Sequence, residues 1–172
     1  MPETPQFEAP KKLDENVAVA RVLGQIAEML EFKDENAFKV RSYRMAAETI
    51  ESMHESINEI AARGVAELQK IEGIGKGISA QIAEIVERGK STYLESLTQD
   101  VPITVLDLRR VSGIGLKTAQ TLYRDFAVKD LPSLRTFAQG GGLLSVPGIG
   151  EKSVARVLKS LERISTQERP TS

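Results

Sequence analysis

One glycine pair occurs three times, in Ile71-Glu72-Gly73-Ile74-Gly75-Lys76, Val111-Ser112-Gly113-Ile114-Gly115-Leu116-Lys117 and Val146-Pro147-Gly148-Ile149-Gly150-Glu151-Lys152. Each copy opens a stretch with helical periodicity. The first N–H groups of a helix have no intrahelical acceptor and carry the positive end of its dipole, so an uncovered helix start attracts anions. Gly75, Gly115 and Gly150 leave that approach free of side chains. Gly73, Gly113 and Gly148 supply the backbone freedom of a tight turn. The isoleucine inside each pair should point inward and staple two helices. Lys76, Lys117 and Lys152 stand beside the expected anion. The chemistry on offer is a main-chain grip on phosphate, which places a protein on nucleic acid without reading its sequence. The copies lack G-x-G-x-x-G and G-x-x-x-x-G-K-[ST], so neither a dinucleotide fold nor a nucleotide loop is expected.

The elements that position these turns follow from periodicity. Residues 1–12 carry prolines and no pattern, and are expected to form a disordered arm. Asp14 is the expected cap of a first helix with a stripe of Val17, Ala20, Leu23, Ile26, Ala27 and Leu30. Asn36 should cap a second with Val40, Tyr43, Ala47 and Ile50. Ser56 and Glu59 have capping-box spacing before a short third. Helical pairs over 65–71 and 76–88, and over 104–111 and 116–126, make two hairpin units. A helix from Asp130 and Pro132 ends at Gly140-Gly141-Gly142, and the third unit closes with a helix over about 150–164. No segment alternates with period two, so no strand is expected. The fold class is all-α: an N-terminal helical bundle with tandem helix-hairpin-helix units. The expected division is an arm at 1–12, a helical domain with the first hairpin at 13–90, a second domain with two hairpins at 91–164, and a loose tail at 165–172.

Composition narrows the chemistry. The 172 residues contain no cysteine and one histidine, His54. Disulfides, thiol nucleophiles and Cys- or His-based metal sites are therefore not expected. No apolar run is long enough for a bilayer and the N-terminus has no signal-peptide core, so no membrane partner is expected and the expected location is cytoplasmic. The net charge of −1 is unevenly placed: 1–62 holds seven Lys/Arg against twelve Asp/Glu, whereas 63–172 holds sixteen against twelve. All three glycine pairs lie in the positive part. The modest charge argues against tight non-specific binding at physiological salt.

The segment FKVRSYRMAAETIESM at 38–53, followed by IEGIGKGIS at 71–79, resembles the N-terminal lyase-type domain of family X DNA polymerases. VSGIGLKTAQTLYRDFAVKDLPSLR at 111–135 is similar to the DNA-binding subdomain that follows it there, and the third glycine pair to an extra hairpin of bacterial members. The resemblance covers roughly 14–163. It implies a DNA partner, a role in DNA repair, and a 5′-phosphate pocket using Lys39, Tyr43 and Arg44, with Phe38 placed to stack on a base. It also implies a monovalent cation, K⁺ or Na⁺, held by main-chain carbonyls of Ile71, Ile74, Val111 and Ile114, with Val146 and Ile149 as the third pair.

The family's catalytic groups do not carry over. Its palm holds two magnesium ions on an Asp-x-Asp pair and a third carboxylate. No Asp-x-Asp occurs here, and too little chain follows residue 163 to build a palm. The position matching its Schiff-base lysine is Gln81, whose amide cannot act as that nucleophile. The position of a neighbouring phosphate-binding lysine is Gly77. The expectation is a sequence-independent DNA-binding protein favouring gaps, nicks or 5′-phosphorylated ends, with no catalytic residue assigned. The alternatives are a 5′-deoxyribose-phosphate lyase using Lys39 or Lys76, the front part of a family X polymerase, and a helical protein-interaction adaptor.

Overall fold

The structure, a computed structural model, describes residues 11–168. Most of the expected arm at 1–12 and the last four residues of the expected tail lie outside that range. Among the described residues there are nine α-helices, two 3₁₀ segments and no strand. No helix is long and apolar enough to cross a membrane. The chain divides into two compact units at Ser96/Leu97, six residues after the expected 90/91 division.

The first unit starts with α1 (Asp14–Phe32) and α2 (Ala37–Ser52), packed along each other. Leu23, Ile26, Met29 and Leu30 of α1 and Ile50 of α2 are fully buried between them. The buried stripes run through Val19 and Ala46, whereas Val17 and Ala47 are half-buried. Asn36 caps α2 as expected, its side chain accepting from the N–H groups of Phe38 (2.8 Å) and Lys39 (3.4 Å). Two expected caps differ. Asp14 is the first helical residue of α1, and the cap position falls on Leu13, which has no acceptor. Ser56 precedes α3 (Ile57–Ala62) but makes no capping bond; its hydroxyl engages Glu15 instead. Asn16 of α1 takes over the role from across the core. Its Oδ1 accepts from the Ile57 N–H at 2.8 Å, and its Nδ2 donates to the Glu55 carbonyl at 2.9 Å.

The unit closes with α4 (Val65–Gln69), α5 (Lys76–Arg88) and most of α6 (Thr92–Leu97). α5 ends where Gly89 adopts the left-handed conformation at φ +73°, the usual way glycine stops a helix. The start of α6 is tied to α5. The Glu84 carboxylate takes both the N–H and the hydroxyl of Thr92, and these bonds, the N–H first, hold its carboxyl below the ordinary range.

The second unit contains a 3₁₀ segment (Ile103–Arg110), α7 (Leu116–Phe126), α8 (Leu131–Gln139), a short 3₁₀ turn (Gly142–Ser145) and α9 (Glu151–Glu168). The segment expected as a helix over 104–111 is 3₁₀, and its buried apolar residues recur every third position. Val105, Leu108 and Val111 are all buried, and three residues per turn put them on one face. Asp130 and Ser133 form a reciprocal capping box at the start of α8. α9 runs on to Glu168, through the first four residues of the expected tail.

Candidate nucleic-acid interface

The three turns share one hydrogen-bond pattern. In the first, the Ile71 N–H donates to Leu68 C=O and the Ile74 N–H to Ile71 C=O, at 3.2 and 3.0 Å. Val111 and Ile114 repeat this on Leu108 and Val111, and Val146 and Ile149 on Leu143 and Val146. Two successive i→i−3 bonds thus lead into each isoleucine. Ile74, Ile114 and Ile149 are buried. The intervening reversal uses left-handed backbone at Gly73 (φ +84°), Gly113 (φ +95°) and Gly148 (φ +87°).

The second glycine of each pair is the last residue before a helix. The first intrahelical bonds run from Ser79, Ala119 and Val154 to the carbonyls of Gly75, Gly115 and Gly150. The N–H groups between therefore have no intrahelical acceptor, and Gly75 and Gly115 have no side chain to cap them. Both sit in extended backbone, at φ −90° and −94°, which any residue adopts. A Cβ added at Gly75, Gly77, Gly115 or Gly150 would meet no heavy atom within 4 Å. All four are exposed. Neither conformation nor internal packing requires glycine at Gly75 or Gly115.

Beside the first turn lies a cavity of about 540 Å³, between the start of α2 and the start of α5. Phe38, Lys39 and Tyr43 line one side and Gly73, Gly75 and Gly77 the other. The structure thus brings together two of the three expected pocket side chains with the first hairpin. Phe38 is 70% exposed at the edge. Tyr43 is buried, which pushes its phenol up to about 12, with Tyr93 adding to the shift. Arg44 does not line the cavity; it turns to α1, where its Nη2 lies 3.3 Å from the Glu31 carboxylate. Lys76 is exposed on the adjoining surface without lining the cavity. One contributor not expected from the sequence is Tyr93 on α6. The Lys39 Nζ lies 4.7 Å from its ring centroid, and the Tyr43 and Tyr93 rings are 6.1 Å apart.

Gln81, at the position of the family's lyase lysine, has a structural partner. Its Oε1 accepts from the Ser91 hydroxyl at 2.9 Å, while the Ser91 Oγ accepts from the Leu94 N–H. The amide joins α5 to the first turn of α6.

The hairpins are not equivalent. In the second, α9 leans on the turn: the Ser112 N–H donates to the Ser160 Oγ at 2.9 Å, and a Cβ on Gly113 would sit 3.2 Å from Val157 Cγ2. Gly115 and Lys117 remain exposed. In the third, Gly148, Gly150 and Lys152 are exposed, but Glu151 occupies the first turn of α9 and supplies a negative charge at that helix start. Glu151 is legible in the sequence as the residue following the glycine pair. Ser160 and Tyr93 carry no local signal.

Among the described residues, no three His, Cys, Asp or Glu side chains cluster as metal ligands would. Residues 14–91 match a helix-hairpin-helix domain family, and residues 66–130 and 105–163 each match the SAM-like helix-hairpin-helix tandem family. The chain is 33% identical over 149 residues to the DNA polymerase/3′-5′ exonuclease PolX of Bacillus subtilis, which covers 87% of this chain and 25% of that protein. It is 35% identical over 89 residues to the Holliday junction branch migration complex subunit RuvA of Leptothrix cholodnii, covering 52% of this chain and 47% of that one. With RuvA of Bordetella petrii the identity is 42% over 52 residues, 30% of this chain and 27% of that protein. The chain thus spans a quarter of PolX and less than half of either RuvA. With the tandem match extending over 66–163, more than half of its length, the chain has a PolX-like helix-hairpin-helix organisation and belongs to the SAM-like helix-hairpin-helix tandem family.

Proposed function

We propose that this protein binds DNA through its phosphate backbone, without base specificity, and favours gaps, nicks or ends that present a 5′-phosphate. The observation that carries the reading is the pair of N-cap glycines, Gly75 and Gly115, exposed in backbone that would accept any residue. What calls for glycine at such a position is something that must come close from outside. A phosphate does so, taking the uncapped N–H groups and the helix dipole together. Lys76 and Lys117 each add charge beside their own glycine.

The cavity between α2 and α5 refines the reading. Lys39, Tyr43, Gly75 and Gly77 line one space, and an ammonium, a phenol hydroxyl and main-chain N–H groups make a donor set suited to a terminal phosphate dianion. Phe38 at its edge is free to stack on a base. The hairpin carbonyls also fit a monovalent cation. Those of Ile71 and Val111 each accept one hydrogen bond, and a carbonyl oxygen has two lone pairs. Ile71 with Ile74 in the first hairpin, and Val111 with Ile114 in the second, would each hold K⁺ or Na⁺ and offset phosphate charge. DNA repair and a cytoplasmic location go with this reading. PolX is named a polymerase and exonuclease, and RuvA a Holliday junction subunit; DNA is the partner common to those activities. The bond between Gln81 and Ser91 speaks against a lyase centred there, since that side chain is both chemically inert and engaged.

The test is a binding panel of single-stranded, blunt, nicked and gapped duplexes, with and without the 5′-phosphate, over a salt series. The expected result is tightest binding to the phosphorylated gap, with loss of that phosphate costing about 1–3 kcal/mol, roughly 5- to 150-fold. Equal affinity for both gapped forms removes the pocket. No binding at low salt removes DNA as the partner.

A further inference from the structure

A lysine on a helix surface is a poor anion ligand unless its ammonium is held in place, because its long stem carries about 2 kcal/mol of rotamer entropy. A carboxylate would hold it but would also cancel its charge. The ammonium of Lys39 is placed differently: it lies over the ring of Tyr93, 4.7 Å from the centroid. The face of an aromatic ring attracts a cation through its quadrupole and leaves the full charge available to a second partner.

Tyr93 is itself fixed from two sides. Its ring lies beside that of Tyr43, with centroids 6.1 Å apart and planes 38° apart. Its helix, α6, is pinned at the first turn by α5. Ser91, almost fully buried, donates to Gln81 and accepts from the Leu94 N–H, and Glu84 holds both donors of Thr92. These polar contacts set the residues on both sides of Tyr93. The path runs from Gln81 and Glu84 through the start of α6 to Tyr93, and from Tyr93 to the ammonium of Lys39, a residue that lines the cavity.

We propose that Tyr93 is a positioning residue for phosphate recognition: it aims Lys39 at the cavity beside the first hairpin without neutralising it, and the Gln81–Ser91 contact sets Tyr93 for that task. The proposal rests on reading that cavity as a terminal-phosphate site. Tyr93 needs its ring and not its hydroxyl, which separates this role from ordinary hydrogen bonding.

Two measurements decide it. The first is the NMR shift of the Lys39 Cε protons in the wild-type protein, which a ring face moves upfield. That displacement should persist in Tyr93→Phe and vanish in Tyr93→Leu. The second is the ratio of affinities for a gapped duplex with and without its 5′-phosphate, in the same variants, in Lys39→Ala and in the Tyr93→Leu/Lys39→Ala pair. Tyr93→Phe should keep the wild-type ratio. Tyr93→Leu should lower it about two- to five-fold, what a cation–π contact at an exposed site contributes. Adding Tyr93→Leu to Lys39→Ala should lower it no further. A ratio unchanged in Tyr93→Leu overturns the role of Tyr93 alone, as do unshifted Cε protons in the wild type, a measurement that needs no variant to fold. A wild-type protein indifferent to the phosphate overturns the pocket and the role together.

Discussion

Replacing Gly75 by aspartate should stabilise the protein and weaken its grip on DNA, a pair of opposite signs that few substitutions produce. Gly75 sits at φ −90°, ψ −170°, ordinary extended backbone, and an added Cβ meets nothing within 4 Å. Aspartate therefore enters without strain. At an N-cap it accepts from the exposed N–H groups, a gain of a few tenths of a kcal/mol over glycine, and its charge at the helix start adds about 0.3–1 kcal/mol. The melting temperature should rise by a few degrees in a unit of this size. The same carboxylate occupies the amides that a phosphate needs and repels it. One charge-assisted bond lost is about 1.5–3 kcal/mol, or roughly 10- to 150-fold in affinity. The slope of log affinity against log salt should shrink by about one phosphate. Fluorescence anisotropy on a gapped duplex, alongside thermal melts, reads both quantities. Gly115→Asp should behave likewise. Gly150→Asp should do less, because Glu151 already places an anion at that helix start. A Gly75→Asp protein that melts higher yet binds as the wild type would show that this helix start does not hold phosphate.

Three further outcomes are expected. Asn16→Ala should cost about 1–3 kcal/mol for each buried group it leaves unpaired, the Ile57 N–H foremost, as read by urea melts. Gly113→Ala should destabilise more than Gly148→Ala, by about 1 kcal/mol: both positions have positive φ, but only at Gly113 does the new methyl press on Val157. The raised pKa of Tyr43 predicts a stability contribution intact below pH 10 and lost as pH rises toward about 12, because the unfolded chain ionises first. Denaturant melts over that window should show this loss in the wild type and lack it in Tyr43→Phe.

The parts of this structure legible in the sequence are those set by near neighbours. α5 and α7 begin and end where the spacing predicts, at 76–88 and 116–126, because a glycine pair fixes each start. The caps at Asn36 and Asp130 are two- and three-residue events and were equally readable. The 3₁₀ segment over Ile103–Arg110 was readable in principle, from the every-third-residue spacing of Val105, Leu108 and Val111, but a helical period absorbs such spacing over two turns. Long-range partners leave no such trace. The Asn16–Ile57 bond joins residues 41 apart and that of Ser112 with Ser160 joins residues 48 apart. The seating of Lys39 on Tyr93 depends likewise on how two distant helices meet. The same limit explains Arg44: the resemblance implied it for the pocket, and only the position of α1 reveals that Glu31 draws it away.

The glycines themselves separate folding from function. Two helices of this chain begin under a side-chain cap, Asn36 before α2 and Asp130 before α8. Gly64 also precedes a helix, but at φ +114° a side chain would be strained, so folding accounts for it. The same holds for Gly73, Gly113 and Gly148. Gly75 and Gly115 have neither excuse, and Gly77 sits inside the first turn of α5, where glycine is about 1 kcal/mol worse than alanine. Each of these three forgoes stability that a small side chain would supply, and each is exposed at the start of a helix that follows a hairpin. Selection for folding alone would fill these sites. The proposed phosphate grip would account for their staying bare, and two of the three, Gly75 and Gly77, line the same cavity as Lys39 and Tyr43.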